Sequence, residues 1–177
     1  MQPKNHIELL PGGLVAVRLT QGFDALIDLA DLFLIAPYRW CVRRTGRSLY
    51  AQTMVSKDGR KRPLRMHHLI QPLLPGELTD HRNRNGLDNR RSNLRKATKA
   101  DNQRNQPRKS TNTSGFRGVS WDRNQSKWVA NIKMNYRHFY LGAYDLPEQA
   151  ARAYDRAARQ YHGEFASLNF PAEGLDS

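Results

Sequence analysis

One cysteine, Cys41, among 177 residues excludes an internal disulfide and any cysteine-built zinc site, and it fits a reducing compartment. No apolar run approaches the roughly 20 residues that cross a bilayer. The opening MQPKNHIELLPGG also lacks the long apolar core of a secretion signal. Together these absences predict a soluble, cytoplasmic chain with no membrane partner. Glycine-rich phosphate loops and a G-x-S-x-G nucleophile elbow are missing, which argues against nucleotide-triphosphate and serine-hydrolase chemistry. Acidic residues are scarce as well: 16 Asp+Glu face 29 Lys+Arg, a formal net charge of +13.

Such a balance favours a polyanion as partner, because each neutralised phosphate releases condensed counterions whatever the base sequence. The surplus is uneven. Residues 1–65 carry eleven Lys/Arg against five acids, 66–110 ten against four, and 111–177 eight against seven. Three Trp, seven Tyr and six Phe suffice to seed small cores, so the chain is expected to fold rather than remain disordered.

Residues 13–40 alternate apolar and polar positions and become continuously apolar near LFLIAPYRW, which predicts strands with one short helical or irregular connection. Ser48–Val55 and Pro63–Ile70 flank Asp58-Gly59, a dipeptide suited to a tight hairpin turn. QPRKSTNT, Gln106–Thr113, has linker composition. Beyond it, SGFRGVSWD, KWVANIKM and RHFYLGAY read as three strands. In the second, Trp128, Ala130 and Ile132 occupy one face, and Lys127, Val129, Asn131 and Lys133 the other. A helix follows, with Asp145 as the expected cap, Glu148 three residues on, and Ala150, Tyr154, Ala157, Ala158 and Tyr161 on the packed stripe.

The densest polar text is LTDHRNRNGLDNRRSNLRKATKADNQRN, Leu78–Asn105, with six asparagines and eight Lys/Arg. Asparagine clusters commonly form turns, so no single residue there is informative. The spacing says more: Asp80-His81, then Asn93, then Asn102. Two short strands joined by the NRNGLDNRRS loop, then a helix capped by Thr98, would present Asp80 and Asn102 as hard oxygen ligands to one divalent cation, Mg²⁺ or Mn²⁺. His81, with an ordinary pKa of about 6.5, suits a general base, and Asn93 could fix its imidazole.

These residues resemble the HNH endonucleases of phage and intron homing type, whose core is a ββα-metal unit. The resemblance covers RMHHLI to NQRN, residues 65–105, with DHRNRNGLDNRRSNLRKAT at its centre. It implies that Asp80 and Asn102 bind the metal, that His81 is the base and that Asn93 orients it. Asn102 stands where relatives often have histidine. His67 is expected to be structural or a minor DNA contact. Arg82, Arg84, Arg90, Arg91 and Arg95 become expected phosphate contacts.

Residues 114–170 resemble the Apetala/ethylene-response-factor DNA-binding domain, through RGV, KW-A-I, YLG-Y, EQAARAYDRAA and GEFASLNF in order. That family reads the major groove with a three-stranded sheet backed by a helix. Arg117 keeps a contact position outright. Ser120, Asn131, Lys133, His138 and Tyr140 fall at contact positions usually filled by other side chains, so the plant target sequence does not transfer. Trp121, Arg123, Lys127 and Arg137 complete the expected DNA-binding set.

The expected fold is α+β. An N-terminal β-rich segment (1–64) leads into an HNH ββα-metal core (65–106), a linker (107–113), a three-stranded antiparallel sheet on one helix (114–170) and a tail (171–177). The function expected from the resemblances is metal-dependent hydrolysis of a phosphodiester bond in double-stranded DNA, as a nicking monomer with no small-molecule cofactor, in a bacterial host cell. The alternative is a DNA-binding transcriptional regulator with a degenerate, non-catalytic HNH core. An RNA-binding role is disfavoured, because the sheet lacks an aromatic-rich stacking pattern.

Overall fold

Apolar alternation with well-placed turn residues builds the first half of the molecule. β1 (Ile7–Leu10), β2 (Leu14–Arg18) and β3 (Asp24–Asp28) form one antiparallel meander. A short helix α1 (Leu32–Ile35) leads to a second meander of β4 (Cys41–Thr45), β5 (Ser48–Lys57) and β6 (Arg60–Arg65). Asp58 and Gly59 turn the β5–β6 hairpin with φ of 53° and 71°, the double left-handed geometry that a two-residue hairpin loop requires. The computed structural model describes residues 4–105, 112–134 and 137–171.

The second hairpin strand ends earlier than the alternation predicts. Met66–Ile70 is a helix, α2, rather than a continuation of β6. Met66 and Ile70, four apart, both enter the core, and that spacing is helical.

A two-stranded antiparallel sheet follows, β7 (Leu78–His81) with β8 (Leu94–Ala97), and then α3 (Lys99–Arg104). The loop between β7 and β8 is fastened to the first sheet. Leu26 N–H donates to the Leu87 carbonyl at 2.9 Å and Asn89 N–H to the Leu26 carbonyl at 2.7 Å. One core unites this half: Val15, Val17, Ile27, Ile35, Trp40, Ala51, Met66, Ile70, Leu87 and Leu94 are buried together. The expected division at residue 64 is therefore absent, because apolar residues from both sides of it share that core.

The chain divides into two compact units, 1–99 and 100–177. The expected boundary at 107–113 differs: α3 groups with the C-terminal unit. Linker residues 106–111 and tail residues 172–177 lie outside the described residues.

In the second unit β9 (Val119–Asp122), β10 (Lys127–Met134) and β11 (Arg137–Tyr144) form an antiparallel sheet in the order β11-β10-β9. α4 (Pro147–His162) covers one face. Ala150, Ala151 and Ala158 on α4 are fully buried, and such small side chains let the helix axis approach the sheet closely. The N-terminal cap differs from the expected one. Leu146 is the cap residue, without a side-chain hydrogen bond, and Pro147 begins the helix. Proline fits there because its fixed φ is helical and its missing N–H would have no partner. Asp145 instead pairs with Lys127 at 3.1 Å. Tyr154 is buried as expected, whereas Tyr161 is 50 % exposed. No helix among the described residues is long and apolar enough to cross a membrane.

Candidate nucleic-acid interface

Strand alternation decides which side chains share the open face of the β9–β11 sheet. Asn131 lies opposite Tyr140, and Lys133 opposite His138. Ser120 lies opposite Val129 on the same alternation. Ser120, Lys133, His138 and Tyr140 are exposed and Asn131 is half-buried. The register shift between Ala130 and Asn131 absorbs Leu141, so Asn131 and Tyr140 stay in step on one face.

Two expected members fall elsewhere. Trp121 lies opposite Trp128, with ring centroids 5.2 Å apart, and so alternates with the helix-covered face. Arg137 lies opposite Met134, out of phase with His138. Arg123 is exposed in the β9–β10 turn.

Arg117 is positioned by a chain of partly buried polar contacts. Its N–H donates to the Asn169 Oδ1 at 2.7 Å and its carbonyl accepts from Asn169 Nδ2 at 3.1 Å. Asn169 N–H in turn donates to the Asp155 carboxylate, as does the Phe170 N–H at 2.8 Å. The next residue must be glycine. At Gly118 (φ 75°) a Cβ would stand 2.0 Å from Tyr154 Cδ2 and 2.7 Å from the Asn131 carbonyl.

The asparagine-rich loop is organised differently from the sheet. Arg90 pairs with Asp88 through Nε at 2.7 Å and Nη2 at 2.6 Å. Arg91 Nη2 reaches Asp31 at 2.6 Å, and its N–H donates to Asp28 at 2.7 Å. Arg95, across the β7–β8 ladder from Asp80, donates to Asp80 Oδ2 from Nε at 2.7 Å and from Nη2 at 2.6 Å, with both side chains buried. These three arginines are therefore committed within the protein, whereas Arg82 and Arg84 are exposed on the loop. Three acids in the folded unit compete for cations that the sequence alone offers to phosphate.

Asp80 and His81 end β7, both buried. His81 packs against His67 and Tyr50, with ring centroids 5.0 and 6.0 Å away. Burial lowers the His81 pKa, against the Asn89 side chain and the charges of Asp80 and Asp88, which favour the protonated form. His67 is pushed down to about 2, first by burial and then by the neighbouring His81, His68 and Arg65 charges. Both imidazoles are thus neutral near pH 7. Asn93 is engaged with the loop: its Nδ2 donates to the Asp88 carbonyl at 2.7 Å, and its Oδ1 accepts from Asn83 N–H at 3.0 Å. Among asparagines, Asn89, read from the sequence as a turn-former, is the one that acts on His81, favouring its protonated form; its Nδ2 donates to the Leu87 carbonyl at 3.1 Å. Its 0 % exposure is the trait that separates it from the loop's other asparagines. Asn102 lies on α3, in the second unit.

Among the described residues no group of three or more His, Cys, Asp or Glu could hold a metal ion. A magnesium ion needs fewer, since it keeps several waters and takes one or two hard oxygen ligands. The buried Asp80 carboxylate fits that demand, and any cation there shares it with Arg95.

Comparison with known proteins finds an AP2 domain at residues 114–164. An ethylene-responsive transcription factor of Arabidopsis thaliana is 45% identical over 60 residues, 33% of this chain and 32% of that protein. An AP2-like ethylene-responsive transcription factor of the same plant is 44% identical over 64 residues, 36% of this chain and 20% of that protein. The chain thus spans a third or less of these plant relatives. Protein 3.8 of Escherichia phage T7 is 33% identical over 95 residues, 54% of this chain and 78% of that protein, a likeness that must extend beyond the AP2 domain.

Proposed function

We infer that this chain, which belongs to the family of Protein 3.8 of Escherichia phage T7 and carries an AP2 domain at residues 114–164, is a protein that binds double-stranded DNA through the open face of its C-terminal sheet. The observation that carries this reading is the single face shared by Ser120, Asn131, Lys133, His138 and Tyr140, with Arg117 held beside it. Exposed polar and cationic side chains at strand spacing can meet base edges and phosphates together. The plant relatives are by name transcription factors, which favours a regulator that binds without cutting. In that reading the β7–β8 region is a degenerate HNH core, with Asp80 neutralised by Arg95.

A second reading, an HNH endonuclease that nicks DNA, is favoured by one specific feature. His81 is buried, neutral and adjacent to a buried carboxylate, the protonation state that a base needs near pH 7. Asp80 would offer its carboxylate to Mg²⁺ or Mn²⁺, which would supply Lewis-acid stabilisation of charge on a phosphodiester. His81 would accept the proton of an attacking water.

One experiment separates the two. Full-length protein is incubated with supercoiled plasmid in Mg²⁺ and in EDTA, while duplex binding is followed by fluorescence anisotropy. Binding without any nicked product supports the regulator. Magnesium-dependent nicking that His81→Ala abolishes, with binding retained, supports the nuclease. Failure to bind duplex DNA overturns both.

A further inference from the structure

The second unit contains a hollow of about 320 Å³, lined by Arg104 and Gln103 of α3, Arg117, Lys133 of β10, and Tyr154 and His162 of α4. We propose that this hollow is a phosphate-binding pocket continuous with the DNA-facing sheet, formed where α3 adds Arg104 to Arg117 and Lys133.

Three permanent cations line one concave volume. Asp101 pairs with Arg104, while Asp155, next to Tyr154, is engaged with Asn169 and Phe170. Their fields converge. Arg104 and Arg117 both depress His162, after the larger effect of burial, and both oppose the burial that raises Tyr154. Clustered like charge beside low-dielectric walls is unfavourable alone and is relieved by a bound anion. His162 is fixed by contact of its ring nitrogen with the Lys133 carbonyl at 3.3 Å. The Tyr154 ring supplies an apolar wall.

The neighbouring hollow on the sheet indicates the source of the anion. It is lined by Ser120, Asn131 and His138, and it shares Arg117, Lys133 and Tyr154 with this pocket. A duplex lying on the sheet would bring a backbone phosphate to the shared cations, so the DNA backbone is the expected source and a free nucleotide the other. The volume is near the lower end for small-ligand sites, about 300 Å³, and accommodates either. This proposal rests on the DNA-binding reading for its ligand's source but not for its existence.

The test uses the full chain in two arms. In the first, inorganic phosphate and a nucleoside monophosphate are titrated separately while the His162 imidazole resonances are recorded, for wild type, Arg104→Ala and Arg104→Lys. A saturable shift in wild type and Arg104→Lys that Arg104→Ala removes is expected. In the second, duplex affinity is measured against salt. Arg104→Ala should lower the logarithmic salt slope by about 0.9, one phosphate contact, and Arg104→Lys should retain it. A shift in the first arm with an unchanged slope in the second assigns the pocket to a free phosphate ligand. No shift and no change of slope overturns the pocket even if wild type binds DNA, whereas absent duplex binding with an intact shift sinks the DNA reading alone.

Discussion

Arg95 shows how residue type misleads where a partner decides the role. Its guanidinium is as suited to phosphate as any in the loop, yet it lies across the β7–β8 ladder from Asp80, and both side chains are buried. Removing one member of a buried ion pair leaves the other uncompensated, at a cost of about 3 to 5 kcal/mol. Arg95→Ala should therefore lower the unfolding free energy of the first unit by roughly that amount in a urea titration. Exposed Arg82→Ala should leave stability nearly unchanged. If Arg95 were instead a phosphate handle, its removal would weaken DNA binding and spare stability. The sequence offered five equivalent arginines. Only folding brings Asp31, Asp80 and Asp88 to three of them, across separations as long as the 60 residues between Arg91 and Asp31.

Elements whose signal is periodic were legible. The three strands of the C-terminal sheet, the α4 stripe and the Asp58-Gly59 turn all follow from local text, because alternation, helical spacing and left-handed turn residues are short-range constraints. The faces of the sheet were less so. Trp121 lands on the helix-covered face because the β9–β10 register, fixed by the turn, opposes it to Trp128. Likewise α2 interrupts an apparent strand since Met66 and Ile70 are needed in the core. The link from α4 to the DNA face was not visible either. Asp155 holds Asn169, and Asn169 holds the Arg117 backbone, over separations of 14 and 52 residues. Asn169→Ala breaks that relay and leaves a backbone N–H at 117 without its acceptor, a loss of about 1 to 3 kcal/mol. Duplex affinity should fall with it, to a degree approaching that of Arg117→Ala. An Asn169→Ala protein that melts early but binds DNA normally when folded would confine the relay to stability.

On the scale of the whole molecule, the spacing of Asp80, His81, Asn93 and Asn102 suggests a site in the sequence, but what surrounds each of these residues was not legible there. Burial of His67 and His81 and the division of the chain before Ala100 arise from tertiary contacts. That burial has a consequence for acid stability. His67, His81 and His162 all have folded pKa values below the ordinary value of 6.5, with burial the largest cause in each. The unfolded chain takes up protons at these positions as pH falls through about 6.5, and the native state does not. Their contribution is thus fully present above pH 6.5 and declines below it, by about 1.4 kcal/mol per pH unit for each histidine that stays neutral. For His67, held down to about 2, the decline continues through the whole acid range. Asp88 adds to the loss only at lower pH: burial raises its pKa, but the stronger combined effect of Arg90 and Asn83 leaves it below the ordinary value of 3.8. Urea unfolding of the first unit between pH 8 and pH 5, followed by the methyl resonances of the fully buried Val15 and Val17, should show stability flat above pH 7 and falling below 6.5. His67→Phe removes one of the groups, so its acid limb should be shallower by about one proton's slope. An acid limb identical in wild type and His67→Phe would mean that His67 is protonated in the folded protein, in conflict with its burial beside His81.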